Sequence, residues 1–281
     1  MTETKIHSTL HKSNPKPISQ FWNLVANGPQ GNATNLAIDQ LLLEKVSKST
    51  TSNTYLRFYS WTKPTLSIGY SQNAREVVDF HFCQQKKISV VRRPTGGRAV
   101  LHQHEITYSV ISNDRHFFPI QTINGTYQQI AFALQCGLKQ LGINVKLASL
   151  PKNKRMKHRT QRAACFASSQ NHEILYGEKK LIGSAQRRTD HAFLQHGSIL
   201  IDFNFHDLQG VLKEPLPSDL PEMISTLKSC LKHRPKKSNV ISNLQKGFCE
   251  TFKIQLRKVL LNEEFQNRSE ILRANTSIKV Q

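Results

Sequence analysis

Acidic residues are scarce in this chain: 19 Asp and Glu stand against 39 Lys and Arg over 281 residues, a formal net charge of +20. Such an imbalance points to an anionic partner, and charge alone leaves open a nucleic acid, a lipid surface or an acidic protein. No stretch approaches the roughly 18 consecutive apolar residues that a membrane-spanning helix needs. Residues 1–20 contain no apolar core of the kind a secretory signal carries, so a cytoplasmic protein that does not engage a membrane is expected. The five cysteines, Cys83, Cys136, Cys165, Cys230 and Cys249, are odd in number and lack CxxC spacing, which argues against a disulfide framework and a zinc ribbon. The chain also lacks a GxxxxGK[ST] phosphate loop, a GxGxxG fingerprint and an HExxH pair, so nucleotide, dinucleotide and metal sites gain no support, and no metal is expected. Zinc-finger spacing, an RNP-like aromatic run and a helix-turn-helix are absent too, which disfavours nucleic acid.

What is present suffices for a folded core, with 38% hydrophobic residues. Residues 1–20 are polar and basic, with Pro15 and Pro17, and read as a mobile arm. Residues 35–48 place Leu36, Leu41, Leu42 and Val46 on a helical period. Strands are expected over 54–61 and 65–70 around a Thr62-Lys63-Pro64 turn, then a helix over 75–86, strands over 88–93 and 105–112, and a helix over 123–141. That last helix repeats apolar residues at Ile130, Ala133, Leu134, Leu138 and Leu141. Residues 151–162, PKNKRMKHRTQR, hold six Lys or Arg in twelve and read as a solvated loop. Strands over 172–176, 180–186 and 192–201 follow, then a helix-leaning tail. The pattern predicts an α+β fold with a mainly antiparallel sheet flanked by helices. A catalytic domain over 21–205 and a helical extension or small cap over 206–281 are expected.

Three strings carry candidate chemistry. In RRPTGGRAVLH (92–102), Gly96 and Gly97 allow backbone N–H groups to approach a ligand, with Arg93 and Arg98 as side-chain donors; a Gly-Gly hairpin turn with exposed arginines is the plainer reading. In ACFAS, Cys165 needs a neighbouring cation to become a nucleophile, since a free thiol of pKa about 8.5 is only a few per cent thiolate at pH 7. Lys180, in YGEKKLIGSAQ, is the candidate cation; the plainer readings are a buried thiol and a solvated lysine. In LHQHE, His102, His104 and Glu105 have the residue types of a metal site without its spacing, and His102 is kept as a pocket residue beside the glycine turn.

Taken in order, NLAIDQLLLEK, the pattern W-x-x-P-x-x-S-I-G-x-x-Q of Trp61, Pro64, Ser67, Ile68, Gly69 and Gln72, RRPTGGRAVLHQHEITYSV, GEKKLIGSAQ and LQHGSIL resemble the cysteine-dependent protein octanoyltransferases of lipoate assembly, within the biotin/lipoate protein ligase superfamily. The resemblance spans residues 21–204. Lipoate ligases of that superfamily typically carry a third glycine where Arg98 stands, and the biotin-ligase GRGRxG string is missing. The resemblance implies a biotin/lipoate ligase-like fold and an acyl group moved from acyl carrier protein through a Cys165 thioester to a lysine of a lipoyl-domain protein such as the glycine-cleavage H protein. It implies Cys165 and Lys180 as catalytic residues. Arg93, Thr95, Gly96, Gly97, Arg98, Ala99, Val100, His102, Gly183, Ser184, Ala185, Gln186, His196 and Gly197 would bind substrate. No cofactor is implied, and a monomer is expected. The alternatives are an ATP-dependent lipoate–protein ligase and a non-catalytic basic module that binds carrier proteins. Both expected partners are typically acidic, so Lys152, Lys154, Arg155, Lys157, Arg159 and Arg162 are expected to steer them.

Overall fold

A computed structural model of the chain describes residues 20–26, 31–148 and 173–278. Residues 1–19 of the arm expected over 1–20, the basic loop over 151–162 and Cys165 lie outside the described residues, whereas Gln20 belongs to a strand and pairs with Ile254. The first half of the chain forms β1 (Gln20–Val25), α1 (Asn32–Ser47), β2 (Thr54–Tyr59), β3 (Thr65–Ile68), α2 (Ala74–Val77), α3 (Phe80–Gln85), β4 (Ser89–Arg92), β5 (Val100–His102), β6 (Glu105–Ser112) and α4 (Ile123–Gln140). Then come β7 (Lys146–Leu147), β8 (Ile174–Tyr176), β9 (Lys179–Arg188), β10 (Phe193–Leu200), α5 (Phe205–Gly210), α6 (Leu220–Met223), α7 (Leu227–Leu231), α8 (Lys237–Phe252), β11 (Ile254–Val259) and α9 (Glu263–Thr276).

The sequence EITYSVIS shows how the main sheet is built. Alternate residues of a strand face opposite sides, and Ile106, Tyr108 and Val110 enter one core while Glu105, Thr107 and Ser109 turn to the other face. Strand β6 lies inside an eight-stranded sheet of order β11-β1-β2-β6-β10-β9-β8-β7. A separate three-stranded sheet has the order β4-β3-β5. Six of the named pairings are antiparallel and three parallel, a mixed but mainly antiparallel α+β arrangement.

Helices α4 and α8 cover the Ile106 face. Their apolar stripes, Ile130, Leu134 and Leu138 on one and Val240, Leu244 and Phe248 on the other, join Trp22, Phe58 and Phe193 in one core. The two helices approach closely because Gly137 and Gly247 lack side chains: a Cβ on Gly137 would lie 2.7 Å from the Cα of Leu244. On the opposite face Ile38, Leu42 and Val46 of α1 pack on Tyr55, Ile111 and Leu194.

Four local expectations change. The helix expected over 75–86 is broken, because Val78 is extended (φ −100°, ψ 129°) and bridges to Leu212, after which Asp79 caps a new helix by accepting from the Phe82 N–H. Strands β2 and β3 part into different sheets at the Thr62-Lys63-Pro64 turn. Strands β4 and β5 flank β3 rather than each other, so RRPTGG is a crossover and not a hairpin. After residue 205, where an extension or cap is expected, α8 enters the main core and β11 pairs in parallel with β1. No helix among the described residues is long and apolar enough to cross a membrane.

Candidate active site

The face of the main sheet away from α4 carries two cross-strand rows over β2, β6, β10 and β9. One runs Arg57, Ser109, His196, Ala185; the next runs Tyr59, Thr107, Ser198, Gly183. Side chains directly opposite one another on a face are within contact range, so the pairing register alone assembles a polar wall. The crossover 93–99 approaches this wall from the small sheet. Between them Leu36, Tyr59, Trp61, Val100, Gly183 and Ala185 help line a narrow cavity of about 30 Å³.

Hydrogen bonds, with a charge contact between a histidine and a carboxylate at each end, hold the cavity's polar side. Asp39, fully buried, accepts from Arg57 Nη1, from Ser109 Oγ at 2.8 Å and from Tyr59 Oη at 2.9 Å, and His196 Nδ1 stands 3.5 Å from its Oδ2. The other ring nitrogen of His196 is 2.7 Å from Thr95 Oγ1. Arg93 Nε donates to Thr95 Oγ1 at 3.1 Å and its Nη1 reaches Ser67 Oγ at 3.3 Å. Ser67 Oγ lies 2.8 Å from His102 Nε2, and His102 Nδ1 lies 3.2 Å from Glu105 Oε1. Thr107 Oγ1 donates to Glu105 and accepts from Trp61 Nε1 at 2.9 Å, while the Trp61 ring stacks on His102 at 4.2 Å.

Burial works against the Asp39 charge, but the Arg57 guanidinium, His196 and Ser109 more than offset it and hold the carboxyl below its ordinary value. Glu105 behaves alike: burial raises it, and His102, Ser198 and Thr107 bring it below the usual range. Burial lowers His196, against the opposing pull of Asp39. Burial also drives Tyr59 well above its usual range, so it stays a donor to Asp39.

Arg93 is 4% exposed. Its remaining N–H groups donate to the carbonyls of Ser67, Gly96 and Arg98 at 2.9, 2.8 and 2.6 Å. It lines the cavity, yet these donors hold its own turn in shape, which differs from the ligand-donor role expected for it. Gly97 adopts φ +86°, and Gly69 packs so tightly beneath the turn that a Cβ there would lie 1.9 Å from the Gly97 carbonyl oxygen. Gly69→Ala is therefore expected to displace the turn, with a loss of about 1–3 kcal/mol of stability from overpacking, read by urea unfolding. An unchanged unfolding midpoint would contradict this close approach.

On the other side of β9, Ser184 Oγ meets Tyr108 Oη at 2.7 Å, Gln195 donates to Tyr108 Oη at 2.8 Å, and Gln186 donates to Gln195 at 2.7 Å. Gln186 is thus engaged with Gln195 and Thr126 rather than lining the cavity. Of the expected binding residues, Arg93, Val100, His102, Gly183, Ser184, Ala185, His196 and Gly197 line it. Thr95 bonds His196, Gly96 and Gly97 form the exposed crest of the turn, Arg98 is half-buried, and Ala99 is buried beside Val100.

Lys180 is 5% exposed, and its ammonium lies 2.5 Å from the Glu173 carboxylate, itself 8% exposed. Strand β9 slips register here: Ile174 faces Ile182, but Leu175 faces Lys180, leaving Leu181 as an extra residue. Leu181 and Ile182 both enter the core beneath α4. That bulge turns Lys180 to the opposite face, the one carrying Gly183 and Ala185. Among the described cysteines, burial raises every thiol, Cys83 to about 12, and also Cys136, Cys230 and Cys249. None of these four is a ready nucleophile at neutral pH.

Asp39, Arg57, Tyr59, Thr107 and Glu173 are site residues that the motif strings do not single out, and Ser67 stands in a motif without a binding role assigned to it. The one signal was an acid in the apolar run NLAIDQLLL, where a charge on the buried side of a helix demands a partner. Glu105 was visible only as a metal-type residue; its partners are instead His102 and Thr107.

A family model described as the lipoyl protein ligase A/B catalytic domain matches residues 32–249. The octanoyltransferase LipM of Moorella thermoacetica is 36% identical over 263 residues, covering 91% of this chain and 95% of that protein. LipM of Carboxydothermus hydrogenoformans is 40% identical over 194 residues, covering 69% of this chain and 70% of that protein. Among solved structures, a lipoate-protein ligase A bound with ATP has a TM-score of 0.73 at 26% identity, covering 91% of this chain and 95% of that one. A T. acidophilum protein with bound lipoic acid has a TM-score of 0.74 at 25% identity, with the same coverage.

Proposed function

We propose, from the premise that this chain belongs to the lipoyl protein ligase A/B catalytic domain family, that it transfers an octanoyl group from acyl carrier protein through a Cys165 thioester to a lysine of a lipoyl-domain protein in lipoate assembly. The observation that carries the reading is the likeness, along nearly the whole chain, to curated octanoyltransferases. The cavity supplies a physical counterpart: apolar surface from Leu36, Trp61 and Val100 suits a hydrocarbon chain, and the polar wall suits its carbonyl end.

In the first step the Cys165 thiolate attacks the carrier thioester, a new C–S bond forms, and the bond to the carrier sulfur breaks. The departing thiolate takes a proton from the Lys180 ammonium. In the second step the acceptor lysine, as a free amine, attacks the acyl-enzyme; the C–N bond forms, the bond to Cys165 breaks, and Lys180 recovers a proton from the amine. Exchange between thioesters is near isoenergetic and thioester to amide is downhill, so the sequence needs no nucleotide. The acceptor class is a lipoyl domain, with the glycine-cleavage H protein as the first to test. Arg93, Thr95, Val100, His102, Gly183 to Ala185, His196 and Gly197 are the residues proposed to shape the acyl site.

The test is intact mass after incubation with octanoyl carrier protein and no ATP. A single octanoyl adduct, discharged on adding a lipoyl domain, is expected. No adduct without ATP, together with acyl-adenylate formation when ATP is supplied, would assign the chain to the ligase activity instead.

A further inference from the structure

Two buried carboxylates take no part in the proposed transfer steps, yet they terminate one network at its two ends. Its centre is Arg93, and a guanidinium can only donate. Its Nε donates to Thr95 Oγ1 and its Nη1 reaches Ser67 Oγ. Each hydroxyl, having accepted there, has its own proton left to donate, and the nearest acceptors are His196 Nε2 at 2.7 Å and His102 Nε2 at 2.8 Å. A ring whose Nε2 accepts carries its proton on Nδ1. Those Nδ1 atoms lie 3.5 Å from Asp39 Oδ2 and 3.2 Å from Glu105 Oε1, at charge-contact distance rather than in a formed hydrogen bond, and among the described residues no other polar partner takes them. The reverse tautomer would set a ring lone pair against a carboxylate at both ends.

The surroundings keep both carboxylates in place. Asp39 is also held by Arg57, Tyr59 and Ser109, and Glu105 by Thr107. We infer that Asp39 and Glu105 are positioning residues that fix His196 and His102 as Nδ1–H tautomers, so that each proton between Arg93 and the two carboxylates points outward from Arg93 and the RRPTGG turn is locked against the cavity wall. The two histidines are thereby connectors, not proton acceptors, and proton transfer falls to Lys180. Lowering of His196 by burial agrees with a neutral ring. The tautomer assignment stands on geometry alone; its kinetic consequence rests on the octanoyl-transfer reading.

The experiment is nitrogen NMR of the full chain labelled at histidine, with His102→Gln and His196→Gln spectra for assignment. Both rings are expected to show a protonated Nδ1 and an unprotonated Nε2 near neutral pH. A protonated Nε2 in either ring overturns the assignment. In Glu105→Gln the His102 ring is expected to lose its single tautomer while His196 keeps its own. The octanoyl-transfer kcat should drop by up to roughly a hundred-fold, the scale on which a small misplacement of a positioning element acts. The KM for the carrier should stay within about twofold, as for an interaction that ground-state binding does not use. Unchanged kcat and an unchanged His102 tautomer in that variant overturn the role of Glu105. Asp39→Asn tests the other end; should the buried Arg57 prevent its folding, Asp39→Asn with Arg57→Gln removes both charges, and a His196 ring still fixed as Nδ1–H overturns the role of Asp39. Absence of an octanoyl adduct on Cys165 with both tautomers as assigned sinks the transfer reading and leaves the positioning assignment standing.

Discussion

Cys165→Ala is expected to abolish the octanoyl adduct and to lower transfer by about 10³-fold or more, because removal of the nucleophile removes both half-reactions at once. No described cysteine is equipped to replace it. The Cys83 thiol is pushed up to about 12 by burial, and the Cys136, Cys230 and Cys249 thiols are raised by burial too, Cys136 and Cys249 further by Glu250. A thiol held above its ordinary value offers less thiolate at neutral pH than a free one, which already offers only a few per cent. Cys136→Ala is accordingly expected to acylate normally. Intact mass after mixing each variant with octanoyl carrier protein reads both outcomes, and an adduct that survives in Cys165→Ala would end the thioester proposal.

Lys180 carries the second large effect, and its test must separate chemistry from packing. The Lys180–Glu173 pair is buried on both sides at 2.5 Å. Removing one member of such a pair typically costs about 3–5 kcal/mol, because the other charge stays in a poorly solvated site. Lys180→Met should therefore lose stability in urea unfolding and lose transfer by about 10²-fold or more, the scale of a missing acid–base group. Lys180→Met with Glu173→Gln removes both charges; its stability should return most of the way while its activity does not. Recovery of activity in the double variant would show that Lys180 serves packing alone. Loss of the ammonium should also raise the pH at which iodoacetamide alkylates Cys165, since a cation near a thiol favours the thiolate.

The bulge at Leu181 shows where strand alternation read from sequence fails. Counting by twos from Gly183 places Lys180 on the face of Ile182, in the core; the extra residue reverses that assignment. A bulge is a property of two paired strands, so a single strand's sequence carries no sign of it. The polar network was hidden for a related reason. Asp39, Arg57 and Ser109 are separated by 18 and 70 positions, counted from Asp39, and meet only because β2 pairs with β6 beneath α1. Arg93 read most plainly as an exposed side chain beside a Gly-Gly hairpin turn. Its burial follows from β3 lying between β4 and β5, which folds the turn back over Ser67.

Local pattern was enough for β6, whose apolar and polar alternation matches its observed bounds, and for α4, whose three-and-four spacing of Ile130, Ala133, Leu134 and Leu138 became the buried stripe. The ordered motif strings likewise carried the family, because they record which residue types the chemistry needs at short separations. Partition of β2 and β3 into two sheets, entry of β11 beside β1, and union of two carboxylates with one arginine through two histidines were settled in three dimensions. These depend on hydrogen bonds and charge pairing between segments far apart in the chain, and such contacts are specified by the packing of the whole molecule.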